Sequence, residues 1–351
     1  MISRGLILSL FLLLAGCGLP EPDGPDPLLF PGEEAYLANV RQLTFSGQNA
    51  EAYFSFDDTD LIFQSTRGDL ECDQIFIMDL DSNMTRQITE AGRTTCAYFI
   101  PGTNQILYAS THEASGDCPP EPDRSQGYVW PVYSEFDIYV ADRDGANRRN
   151  ITKSRGYDAE ATISRSGRVV FTSARTGDLE LWTMNADGTD LKQLTHSPGY
   201  DGGAFFSPDE SMICWRASQF DSEQELKDYQ RLLLQGLVRP SKMEIYVAKA
   251  DGSQARRLTD NGSANFGPFF TPDGQFVIFS SNLADPKGRN FDLWMVDIRG
   301  ENLQQVTFCD SFDGFPMFSW DGKQLAFASN RFNAAPRETN LFIADWVGPG
   351  R

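Results

Sequence analysis

An all-β fold, a six-bladed β-propeller of four-stranded antiparallel blades, is predicted by three observations. They are a six-fold repeat, four short strand patterns within each unit, and chain ends that complement one another. The repeat is marked by a threonine closing RQLT (Thr44), RQIT (Thr89), RNIT (Thr152), KQLT (Thr195), RRLT (Thr259) and QQVT (Thr307). Intervals of 45, 63, 43, 64 and 48 residues separate these threonines, a core in the forties with two insertions of roughly twenty, as in propeller blades.

Each unit has the same order of elements. Between Thr152 and Thr195 run EATIS, the turn RSG, RVVFTSAR, the loop TGD, LELWTMN, the turn ADG and TDLKQLT. These are short strands rich in β-branched and aromatic residues, punctuated by turn formers, with no long helical periodicity. Radial repetition of such units makes a propeller. After Thr307 only three strands remain, FPMFS, KQLAFASN and ETNLFIADW. The missing outer strand is VRQLT, Val40 to Thr44, so the amino-terminal strand completes the last blade and leaves no raw edge. The propeller is expected over residues 36–348.

One stretch, NADGTDLKQLT from Asn185 to Thr195, carries the Asn-x-Asp-Gly start of an EF-hand calcium loop. Position twelve, which must be a bidentate Glu, is His196, and Gly188 falls at position four where that loop needs position six. The stretch therefore reads as the turn between the third and fourth strands of a blade.

The chain opens MISRGLILSLFLLLAGC, with one base at Arg4, an apolar run from Leu6 to Leu14 and small residues before a cysteine. Residues 1–16 read as a signal peptide, too short to span a bilayer as a mature helix. Leu14-Ala15-Gly16-Cys17 resembles the bacterial lipobox, which implies a diacylated, amino-acylated Cys17 (palmitate-type anchoring) exposed by cleavage before it; several acyl chains make a stable anchor. Gly18 stands where the inner-membrane retention signal has Asp, so the resemblance implies an outer-membrane lipoprotein with its propeller in the periplasm. Residues 17–35, rich in Pro and Gly, are expected to tether the lipid to the folded body.

The formal charge is -19, and removal of residues 1–16 takes it to about -20. That balance excludes nucleic acid as a partner and favours cationic groups. Beyond Cys17 the cysteines are Cys72, Cys96, Cys118, Cys214 and Cys309. An exported chain can form disulfides; Cys214, in MICWRAS, reads as a small buried side chain. No Cys/His spacing suggests zinc.

Turns such as FSPDE (Phe206 to Glu210), FTPDG (Phe270 to Gly274) and FSWDG (Phe318 to Gly322), with LWTMNADG and KQLT, resemble the WD-type repeats of TolB-like bacterial envelope propellers across residues 40–346. The resemblance implies the fold, and through it an envelope protein or small ligand as partner, with a Pal-like partner by resemblance only. The chain departs from that family in its lipobox and in an expected lack of the amino-terminal α/β domain.

In a propeller the first-to-second and third-to-fourth strand turns lie on one face, and the remaining loops on the other. Both insertions fall on the second face: Thr111 to Phe136, holding Tyr128, Trp130 and Tyr133, and Gln219 to Met243, with a helix over Ser222 to Leu234 packed through Leu226, Tyr229 and Leu233. Long loops on one rim carry recognition. Trp130, Tyr133 and the only histidines, His112 and His196, are candidates on that rim.

Aligning the six first strands puts Asn49, Thr94, Asp158, Asp201, Asn265 and Asp313 at one equivalent position, with Glu51 and Glu160 two residues further along. Such a ring at the channel mouth suits a divalent cation such as calcium, a sugar or a basic side chain. It equally suits the capping of neighbouring backbone groups, as Asx residues do at strand starts. Phe54, Phe99, Ile163, Phe206, Phe270 and Phe318, by contrast, read as blade-to-blade core. Cys72, Cys96 and Cys118 share the rim and are disulfide candidates, the pairing left open.

No G-x-S-x-G elbow, H-E-x-x-H or phosphate-binding glycine loop occurs. The reading is a lipid-anchored binding scaffold with no assigned catalytic residue. Its alternative is a carbohydrate-active hydrolase or lyase using two acids at the same mouth.

Overall fold

The structure, a computed structural model, describes residues 26–350 apart from Arg124, Gln126 and Lys287. Residues 1–16, expected as a signal peptide, and Cys17 lie outside the described residues.

Six four-stranded antiparallel sheets form the blades. From the channel outward, blade one comprises Gln48–Phe54, Asp60–Thr66, Gln74–Asp79 and Thr85–Gln87; blade two comprises Thr94–Phe99, Gln105–Ser110, Asp137–Asp142 and Arg149–Asn150. Blade three holds Asp158–Ile163, Arg168–Ser173, Glu180–Asn185 and Lys192–Gln193, and blade four Asp201–Phe206, Met212–Ser218, Met243–Lys249 and Arg256–Arg257. Blade five holds Asn265–Phe270, Phe276–Ser281, Asp292–Asp297 and Gln304–Gln305. Blade six takes Asp313–Phe318, Gln324–Ser329 and Asn340–Trp346 from the carboxy-terminal end, and its outer strand, Leu37–Gln42, from the amino-terminal end.

The repeat threonine has one job in all six blades. The backbone N–H of Ile75, Ile138, Leu181, Ile245, Leu293 and Leu341 donates to the Oγ1 of Thr89, Thr152, Thr195, Thr259, Thr307 and Thr44 at 2.8–3.0 Å. In every blade the outer strand ends two positions before this threonine, so the hydroxyl supplies an acceptor that the ladder no longer offers. In blades two, four and six the same hydroxyl donates to a side chain at the start of the third strand: Asp137, Glu244 or Asn340. Asn185 and Gly188 close the predicted turn, with Gly188 N–H donating to Asn185 O at 2.9 Å.

Alternation along the strands sends the large apolar residues into the spaces between blades. Phe54, Phe99, Ile163, Phe270 and Phe318 are buried, and Phe206 is half-buried, at the equivalent position. Cys214 is fully buried.

The two insertions meet. Trp130–Pro131 pairs antiparallel with Leu237–Val238, so the loops of blades two and four join above blade three. Helix α1, Glu223–Leu233, is capped by Ser222, whose Oγ accepts from Glu225 N–H at 3.2 Å. It packs through Tyr229 and Leu232, with Leu226 and Leu233 half-buried. A disulfide joins Cys72 to Cys118 and ties the first insertion to blade one, while Cys96 is free.

Residues 26–35, expected as tether, are folded against blade six. Glu33, in the 3-10 turn Glu33–Ala35, is buried and bonds Arg331 at 3.0 Å, and Arg331 also bonds Asp313 at 2.8 Å. Phe30 stacks on Phe332, and Leu28 and Leu29 pack on the blade-six core. A single buried guanidinium with two carboxylates holds this segment in place, something sequence spacing does not reveal.

Candidate functional site

The aligned polar ring is placed at the start of each innermost strand, and its side chains are turned into the protein. Cross-strand partners are Asn49 with Ser65, Thr94 with Ser110, Asp158 with Ser173, Asn265 with Ser281 and Asp313 with Ser329. Asn49 accepts from Ser65 and Arg67, Thr94 meets Ser110 at 3.2 Å, and Asn265 accepts from Ser281 at 2.6 Å. Arg175 bonds Asp158 at 2.9 Å and Arg331 bonds Asp313. In blades one, three and six the arrangement is a Ser-x-Arg motif closing on the ring residue.

Blade four breaks this pattern. Asp201 faces Ala217 instead of a serine, and Gln219 stands in place of the arginine. The Asp201 carboxylate accepts from Trp215 Nε1–H at 2.8 Å. Burial pushes the Asp201 carboxyl up to about 7, helped by Glu180. Glu180 is itself buried with Oε2 unbonded, and burial aided by Asp178 pushes it up to about 7. Asp178 accepts from Tyr229 O–H and from Gly199 N–H at 3.0 Å. Among the described residues, no Lys or Arg bonds any of these three carboxylates.

Above Asp178 lies a cleft of about 970 Å³ between the insertions. Asp178 and Tyr229 form part of its floor, and Tyr133, Glu121, Asp123 and Glu135 line its sides. Pro131 and Leu237, from the sheet formed by the paired insertions, also line it. Tyr133 O–H donates to Pro120 O at 2.7 Å, bracing the first insertion.

A second site is the channel itself. Each innermost strand has a bulge just beyond the residue that follows the ring position, and the bulged residue has positive φ: Glu51, Cys96, Glu160, Gly203, Gly267 and Phe315, between 51° and 60°. The bulge rotates these side chains toward the axis. Glu160 bonds Arg216 and Tyr200 at 2.5 Å, and Thr172 and Gly203 N–H at 2.9 Å. The guanidinium lies across Gly203, where a Cβ would stand 2.1 Å from it, so only glycine fits. Burial, with repulsion from Glu160, lifts the Glu51 carboxyl to about 7, and burial pushes the Cys96 thiol well up.

Trp130 covers this cluster from the loop-rich side, 5.4 Å from Arg216 and edge-on to Phe266. Tyr53, Tyr98, Phe205 and Phe269 form a layer beneath it. On the turn side a cavity of about 210 Å³ opens below Phe205 and Phe269, edged by Arg165, Glu210 and Trp320.

The structure therefore brings Glu51, Cys96, Glu160 and Trp130 together at the axis, and Tyr133 into the cleft. His112 packs on Tyr139 with its Nδ1 2.9 Å from Ser110 Oγ, and His196 is exposed and apart from it. Among the described residues, no group of three or more His, Cys, Asp or Glu is arranged to hold a metal ion, and no helix is long and apolar enough to cross a membrane. Sequence reasoning missed Arg216, Asp178 and Glu180. A signal for Arg216 was present, a charge in the middle of the apolar strand MICWRAS.

No protein-family model matches the chain, and no curated protein is similar to it in sequence. Solved structures share its fold. A putative TolB from Agrobacterium tumefaciens is 16% identical with a TM-score of 0.58, over 87% of this chain and 93% of that one. TolB from Acinetobacter baumannii is 18% identical with a TM-score of 0.53, over 86% of this chain and 64% of that one. An oligogalacturonate lyase from Vibrio parahaemolyticus is 11% identical with a TM-score of 0.52, over 87% and 93%. At these identities the likeness is one of fold, shared by proteins of different function.

Proposed function

We propose that the chain is a lipid-anchored scaffold of the bacterial envelope, held through Cys17 in the outer membrane, that binds a protein partner by a basic side chain in the cleft between its insertions. The observation that carries this reading is the group Asp178, Glu180 and Asp201. It lies beneath a cleft of about 970 Å³ at the one acidic ring position that lacks both the serine and the arginine of its counterparts. A partner's guanidinium or ammonium reaching Asp178 would supply the counter-charge that Arg175 and Arg331 give elsewhere, and charge-assisted hydrogen bonds of this kind are strong. Likeness to TolB in fold is consistent with an envelope role.

The carbohydrate-active alternative has no comparable support. Asp158 and Asp313 are held by arginines, and Glu51 and Glu160 lie under Trp130. It is tested by the Asp158→Ala, Asp201→Ala and Asp313→Ala variants: loss of turnover of an envelope glycan in a folded protein would revive it.

A tetra-arginine amide peptide and its citrulline counterpart test the leading reading by titration calorimetry. The arginine peptide alone should bind, and Asp178→Asn or Glu135→Gln should weaken it about tenfold or more. Equal binding of both peptides, or none, would sink the cleft.

A further inference from the structure

The loop-rich edge of blade six carries a group of exposed aromatic side chains. Phe45, Phe308 and Phe332 are 71%, 37% and 53% exposed. They follow, respectively, the outer strand of blade six, the outer strand of blade five and the second strand of blade six, so all three lie where those strands end on the same face. The amino-terminal segment connects them. Phe30 stacks on Phe332 at 5.6 Å, and Gly32 abuts the Phe308 ring closely enough that a Cβ would stand 3.1 Å from it. Phe45 follows Thr44, which bonds Asn340, and Asn340 bonds Asn333 next to Phe332. Ala334, Ala335 and Pro336 are exposed beside Phe332.

Exposed apolar rings gathered on one edge of a fold mark an interaction site. Two features say what covers it. First, the patch is built around Leu28 to Phe30, and only residues 18–25 separate this folded segment from Cys17, a reach of roughly 30 Å when fully extended. Second, the exposed charges nearest in sequence, Glu34, Arg41, Asp310 and Arg337, are mixed in sign and offer no basic cluster for anionic headgroups, so contact must come from the apolar rings.

We propose that the Phe45, Phe308 and Phe332 edge rests in the interfacial region of the lipid leaflet that holds the Cys17 anchor. The inference rests on the anchor reading given above. It orients the molecule: blade three, with the paired insertions over it, is opposite blade six in a six-membered ring, so the cleft lies across the ring from the anchored edge.

The chain from residue 17, carrying Cys17→Ser and an amino-terminal histidine tag, is held on phosphatidylcholine vesicles by nickel-chelating lipid, with brominated acyl chains as quencher. Phe45→Trp and Phe332→Trp should lose their added tryptophan emission. Leu234→Trp, at the exposed end of α1, should keep it. If the first two are quenched no more than the third on vesicles that carry the protein, the membrane contact is overturned. Unfolding midpoints confirm that each variant is folded. Labelled palmitate incorporation in cells, compared with Cys17→Ser, tests the anchor separately. Label without quenching removes only the contact, whereas absence of label at Cys17 removes the anchor reading and the contact with it.

Discussion

Arg216 of blade four and Glu160 of blade three meet inside the channel, guanidinium Nη2 2.5 Å from carboxylate, with the Tyr200 hydroxyl bonded to both. The pair joins two blades at the axis. Glu160→Ala would leave a buried guanidinium without its carboxylate, and removal of one partner of such a pair costs about 3–5 kcal/mol. Glu160→Ala with Arg216→Met should recover most of that loss. Denaturant unfolding of the four forms measures it; a single variant as stable as the parent would show that the pair is solvated.

Cys72 and Cys118 close a loop of 46 residues in sequence separation. Loss of the bond in Cys118→Ser frees the first insertion in the unfolded chain, a change of about 2–4 kcal/mol. Limited proteolysis should cut residues 119–127 faster in the variant. An unchanged cleavage rate would mean that the pairing with Leu237–Val238 alone holds the insertion.

Glu180 and Asp201 both titrate near 7 in the folded protein, well above their ordinary values of 4.5 and 3.8. The folded state thus holds protons that the unfolded chain has released. Their contribution to stability is complete below the ordinary values, shrinks as pH rises through about 7, and is constant above it. Glu180→Gln with Asp201→Asn should flatten this slope when unfolding midpoints are compared at intervals across that window. The tetra-arginine peptide should bind the parent more tightly above pH 7 than below it, because the deprotonated cluster is the attractive one.

The repeat threonine predicts a uniform effect. In Thr259→Val the Ile245 N–H and the Glu244 carboxylate both lose the hydroxyl they bond at 2.9 and 2.5 Å. Stranding buried polar groups costs about 1–3 kcal/mol. Thr259→Ser, which keeps the oxygen, should lie close to the parent in thermal unfolding, and parity of the valine and serine variants would contradict the assigned role.

The sequence by itself determined the fold. Six threonines, the turn formers between short apolar strands and the complementary ends specify blade number, strand order and closure, because these are consequences of local pattern and of the need to leave no sheet edge open. The helix in the second insertion was legible for the same reason, with Ser222 as its cap. Only the tertiary structure decided where the chemistry lies. Whether Asn49 or Asp158 faces a ligand or a neighbouring serine depends on which side chains lie across the strand pair. The exceptional status of Asp201 appears only when Ala217 and Gln219 are seen opposite it. The bulges that turn Glu51, Cys96 and Glu160 to the axis leave no trace in composition. Pairing of Trp130–Pro131 with Leu237–Val238 joins segments more than a hundred residues apart, and the burial of Glu33 against Arg331 joins the two ends of the chain. Such contacts are set by the closure of the ring, which fixes distances that no local pattern encodes.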